Sequence, residues 1–116
     1  MKLPIFFENS NVPAILSWVS PISIGAITLG PFVFSRGEIS DVTKNHEAIH
    51  WEQYKETLII GFAFLYLFYW LLGLIRYRDG ELAYVMIPFE QEAYQHDEDL
   101  EYIQSRKRFV WWNYKV

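Results

Sequence analysis

The sequence predicts an α+β fold, mainly α, in which a small N-terminal β element packs on a long helix followed by two or three shorter helices. Three observations carry that expectation. The stretch from Asn9 to Ser35 has no charge, yet Pro13, Pro21, Gly25, Gly30 and Pro31 interrupt it too often for a membrane helix, which leaves strands and turns. The chain is then polar from Lys44 to Glu56 and uncharged from Thr57 to Ile75, as one long helix with an apolar extension would be. Finally, Pro88 suits the first position of a new helix, and Phe89 to His96 and Leu100 to Trp112 read as helical. At 116 residues the chain is long enough for one core and too short for two, so 1–116 is expected to form a single domain: β element and loop over 1–40, long helix over 41–76, later helices over 81–112.

Taken in order, Ile22 to Leu29 and Phe32 to Phe34 are rich in β-branched and aromatic residues, and Gly30-Pro31 between them signals a turn. Pro31 disfavours a tight primed hairpin, so a small two-stranded element with at least one free edge is expected. Ser40-Asp41-Val42-Thr43 offers side chains that accept hydrogen bonds from the first amides of a helix. Tyr77 to Gly80 reads as a polar turn and Glu81 to Ile87 as a short helical turn. Two charge clusters, Asp97-Glu98-Asp99 and Arg106-Lys107-Arg108, read as solvated faces and helix-dipole partners rather than sites.

Composition narrows the function. Net charge is -4, without the basic surface that neutralises nucleic-acid phosphates, so nucleic-acid binding is discounted. There is no cysteine, so any metal site must draw on His and carboxylate ligands. The aromatic fraction of 19% is high and must be buried, membrane-facing or held at a subunit interface. Met1 to Ile5 lacks the pattern of a secretory signal, which points to a cytoplasmic or membrane-associated protein. The segment 57–75 is long enough to meet a membrane and equally serves as a core helix; both readings stand at this level.

One pattern carries chemistry. His46-Glu47-Ala48-Ile49-His50 matches H-E-x-x-H near the start of the predicted long helix. Residues four apart share a helical face, so the two imidazoles can grip one Zn²⁺ at about 2.0–2.1 Å. Glu47 then lies beside the metal, where its carboxylate can act as general base toward water. A catalytic zinc site needs a third protein ligand, and no histidine follows closely after Trp51. The remaining candidates are Glu90, Glu92 and His96; Glu90 and Tyr94 share one face of the helix after Pro88, and Glu92 sits about 200° round from it. Tyr54 and Tyr94 are candidates for stabilising an oxyanion.

H-E-x-x-H on one helix, with Glu90-Gln91-Glu92-Ala93-Tyr94 on a later one, resembles the gluzincins and in particular the minigluzincins, single-domain zinc metallopeptidases of about this length. The chain also resembles small bacterial proteins that combine N-H-E-x-I-H-x-x-Q, here Asn45 to Gln53, with a long aromatic stretch and a later F-E-x-E-A-Y segment, here Phe89 to Tyr94. The resemblance covers most of the chain after Val42. It implies His46, His50 and Glu90 as ligands to one zinc per chain, Glu47 as general base, and a peptide or protein substrate. Larger gluzincins carry an Asp at the place of Tyr94 that orients the first His; here a phenol would have to reach that imidazole. The alternatives are a non-catalytic zinc-binding scaffold and a small membrane-associated protein.

Overall fold

The computed structural model describes residues 4–19 and 26–116. Among them, three short strands and six α-helices follow in the order β1 (Ile5–Phe7), α1 (Val12–Val19), β2 (Ala26–Leu29), β3 (Phe32–Ser35), α2 (Asp41–Glu56), α3 (Ile60–Tyr77), α4 (Gly80–Val85), α5 (Pro88–His96) and α6 (Tyr102–Ser105), with a 3₁₀ turn at Val110–Asn113. The molecule is α+β and mainly α. The sheet order is β1-β3-β2, with β1 parallel and β2 antiparallel to β3, so β2 has a free edge among the described residues.

The N-terminal third departs from the expected strands and turns. Val12–Val19 is helical: the Ser10 hydroxyl accepts from the Val12 amide, and Pro13 falls in the first turn, where its missing N–H costs nothing. The predicted strand from Ile22 is seen only over Ala26–Leu29, as residues 22–25 lie outside the described residues. Gly30-Pro31 does close a two-residue hairpin. Gly30 takes the left-handed φ of +62°, and a positive φ at the first loop position leaves the second free for the ring-fixed negative φ of Pro31.

The expected continuous helix over 41–76 is two helices. The first begins as predicted, with the Ser40 side chain accepting from the Thr43 amide, but ends at Glu56. Leu58 and Ile59 both take left-handed backbone angles, φ +59° and +66°, a conformation that L side chains adopt at a cost of about 1–3 kcal/mol each. Packing repays that cost. An unbroken helix over these residues would run for about 54 Å, whereas the longest dimension of the molecule is 36 Å. Turning back stacks Phe62 on Tyr54 at 3.9 Å and on Phe89 at 4.5 Å, in a core completed by Ile87 and Trp111. Farther along, α3 meets α4 so closely that a Cβ on Gly73 would lie 2.9 Å from Ala83 Cα.

A second core cluster, Ala48, Ile49, Ala93, Tyr102 and Ile103, joins α2 to α5. Pro88 stands in the first turn of α5 as predicted. Leu100 to Trp112 is not one helix; only Tyr102–Ser105 and the 3₁₀ turn are helical. Arg106 is the reason. It leaves the charge cluster assigned to solvent and is buried in a network, with Glu56 accepting two bonds at 2.8 and 2.9 Å and Glu92 accepting from Nε and Nη2. Glu56 accepts further from the Phe109 amide and the Trp111 indole.

Candidate metal centre

α2 turns one face toward β2, α3 and α5, and on that face stand His46, Glu47 and His50, all buried. From α5, Glu90 enters between the imidazoles. Its Oε1 lies 3.0 Å from Nε2 of both His46 and His50, and the three ligand atoms lie within 4.8 Å of one another. Ligand atoms of a tetrahedral zinc site stand about 3.3 Å apart. The residues His46, His50 and Glu90 thus lie close enough to hold a metal ion.

The hydrogen bonds behind these residues decide what they can hold. Both amide hydrogens of Gln53 are used, one by the Phe89 carbonyl and one by Glu92, so its oxygen faces His50 and accepts from Nδ1 at 2.7 Å. His46 Nδ1 likewise faces an acceptor, Asp97 Oδ2 at 3.0 Å. With each Nδ1 donating, each neutral imidazole presents a lone pair on Nε2 to the Glu90 oxygen. Two acceptors at 3.0 Å repel unless a cation, proton or metal, lies between them. A proton is one such cation. Burial opposes charge on His50, but the Glu90 carboxylate overrides it and pushes the imidazole up to about 9. Burial likewise opposes charge on Glu90, and His50 and His46 nonetheless hold its carboxyl well below the usual range. A metal cation satisfies the same three groups without protons.

Glu90 is itself held. The Tyr66 hydroxyl donates to Oε2 at 2.6 Å, leaving Oε1 for the imidazoles, and burial pushes that phenol well above the ordinary range, so it stays a donor. Glu47 is adjacent and touches neither imidazole nitrogen; its Oε2 accepts from the Thr28 hydroxyl at 2.5 Å. Tyr54, also from α2, lines the same cleft and donates to the Thr28 carbonyl at 2.6 Å, tying the edge strand to the helix. Thr28 was not anticipated from the sequence, where it reads as one more β-former.

The other candidates separate clearly. Glu92 is fully buried and bonds to Gln53, Tyr102 and Arg106. His96 lies stacked on Tyr102 with its Nε2 at 3.3 Å from the Tyr114 hydroxyl, away from the cluster. Tyr94 is 49% exposed; its ring lies 4.5 Å from that of His46, but its hydroxyl meets Tyr84 at 3.0 Å. The acid on His46 is Asp97, from the run assigned to solvent. Asp97 immediately follows α5, so only the way that helix ends against α2, with the Asn45 amide donating to the carbonyls of 96, 97 and 99, brings it there.

The cluster opens into a cleft of about 1030 Å³ lined by β2 on one side and by α3, α4 and α5 on the other, with Phe62, Ala63, Leu67, Tyr84 and Tyr94 among its walls. Comparison with family models, with curated proteins and with solved structures finds no match to this chain, so the site is read from its own geometry.

Proposed function

We propose that this chain is a zinc-dependent peptidase whose metal is held by His46, His50 and Glu90. The observation that carries the reading is the pair of Nε2 lone pairs converging on one carboxylate oxygen, with a second, unliganded carboxylate on Glu47 beside them in an open cleft. Two nitrogens and one oxygen suit zinc, and three protein ligands leave one position open, as catalytic sites do. Zinc, when bound, supplies Lewis-acid polarisation of a carbonyl and a lowered pKa for water.

The chain's own residues do the rest. Asp97 and Gln53 orient the imidazoles, and Tyr66 restricts Glu90 to one oxygen. Glu47 takes a proton on its carboxylate and passes it to the leaving amine, with Thr28 fixing its rotamer. The free edge of β2 lines the cleft and supplies main-chain partners for an extended peptide.

The test has two readouts. Purified protein should carry about one zinc per chain, lost on His46→Ala or His50→Ala, because two ligands do not replace three. Glu47→Gln should keep the zinc and lower cleavage of an unstructured protein by about 10²–10⁴-fold, followed by mass spectrometry with and without chelator. Zinc retained in both histidine variants overturns the metal assignment. Zinc bound without cleavage of any of several substrates reduces the reading to a zinc-binding scaffold.

A further inference from the structure

Apart from Ala63 and Leu67, which reach the cleft wall, the outer face of α3 takes no part in the site and has no partner among the described residues. From Leu58 to Ile75 every exposed residue is Leu, Ile, Phe or Ala, with Ile60 70%, Phe64 72% and Ile75 78% exposed. The mean hydropathy of the helix is 1.6. A monomer rarely leaves a continuous apolar face of this kind to water.

Three features identify what covers it. The inner face of α3 is engaged along its whole length, by Tyr54 and Phe89 at Phe62, by Glu90 at Tyr66, by the Gly80 carbonyl at Trp70 and by Ala83 at Gly73. The helix therefore cannot stand across a bilayer without dragging buried polar groups with it; it can lie flat with its outer half immersed. The exposed stripe offers no hydrogen-bonding side chain, whereas a protein partner would be met by a polar rim and about one hydrogen bond per 100–200 Å². Charge at its end complements lipid phosphate. Arg76 and Lys115 line one shallow concavity with Trp112, Tyr69, Leu72 and Ile75, and no acid occurs between Glu56 and Asp79. Cations and an exposed tryptophan beside an apolar stripe suit an anionic headgroup layer, although the chain as a whole is acidic.

We infer that α3 docks this protein in plane on an anionic bilayer surface. Ala63 and Leu67 belong both to that stripe and to the cleft wall, so the cleft opens at the edge of the docked face. If the peptidase reading holds, the substrates are polypeptide segments lying at that surface.

The experiment sediments the full-length, zinc-loaded protein with vesicles of phosphatidylcholine alone or with about one third phosphatidylglycerol. Wild type is expected to pellet with the anionic vesicles. Phe64→Ser with Phe68→Ser, and separately Ile75→Ser, should each weaken that partitioning by about tenfold or more. Arg76→Glu with Lys115→Glu should remove the preference for anionic lipid. Circular dichroism checks that these surface variants are folded. Wild type left in the supernatant with both vesicles, or folded Phe variants that pellet like wild type, overturns the inference. So does a soluble wild-type dimer that Phe64→Ser makes monomeric, because a second copy then covers the face. Zinc content is measured separately: wild type that holds zinc but stays with the supernatant refutes the docking alone, and wild type that docks without holding zinc refutes only the metal reading.

Discussion

Two buried polar clusters lie on either side of Gln53, and they are built on opposite terms. In one, Arg106 faces Glu56 and Glu92, and each of its three guanidinium nitrogens donates to a carboxylate. In the other, Glu90 faces two imidazoles whose other nitrogens already donate elsewhere. The first cluster is closed and carries a permanent cation; the second opens to the cleft, and its carboxylate is balanced by a proton on an imidazole or by a metal ion in its place. Burial alone therefore does not separate a structural ion cluster from a binding site. What separates them is whether the donors and acceptors close among themselves. Gln53 joins the two, donating to Glu92 and accepting from His50, so the structural cluster also sets the tautomer of that imidazole.

The largest effect should come from breaking the closed cluster. Arg106→Ala leaves two buried carboxylates unpaired and should cost about 3–5 kcal/mol of stability by urea unfolding, with or without zinc. A loss that appears only when zinc is present would show that the two clusters are one. Asp97→Ala acts on the open side. It should weaken zinc binding by about 10–100-fold in a competition titration while changing the stability of the metal-free protein far less.

The pH dependence sharpens the contrast. In the metal-free protein His50 is charged up to about 9, above its unfolded value of 6.5, so its contribution to stability is complete below 6.5 and is lost as pH rises through 9. Zinc reverses the slope, since binding requires neutral imidazoles and strengthens as protons leave. Thermal unfolding of chelated and zinc-loaded protein between those pH values should show stability falling in the first and the gap between them widening; parallel curves would argue against the imidazoles as ligands. The smallest effect is expected at Tyr94. Its hydroxyl bonds to Tyr84 at the surface, so Tyr94→Phe should change stability by no more than about 0.5 kcal/mol and leave zinc affinity unchanged. Activity of the same variant tells whether that hydroxyl, candidate for the oxyanion, takes part.

Much of the centre was legible because helical spacing is local information. The positions of His46 and His50 on one face follow from their separation, and Pro88 marks the start of the helix that brings in Glu90. The Ser40 cap is local in the same sense. The parts that could not be read depend on tertiary contacts. Nothing in the uncharged run marks the break at Thr57 to Ile59, which contains neither Gly nor Pro and exists because the aromatics beyond it pack back on Tyr54. Tyr66 was hidden among aromatics, with only its hydroxyl distinguishing it from Phe64 or Phe68. Asp97 and Arg106 sit in runs of like charge that belong to solvent by composition, and one member of each run is drawn inside by a partner some 50 residues earlier in the chain.

The reversal after α2 also sets an order of assembly. His46 and Glu90 are 44 residues apart, and α3 and α4 must fold back before Glu90 reaches the imidazoles. Closing that loop is paid for in chain entropy before any metal can contribute, which places it among the slower steps of folding. On the proposed metal reading, a fragment ending before Pro88 would have H-E-x-x-H and little grip on an ion, so capture of the metal would come late and mark a chain that has already finished its turn.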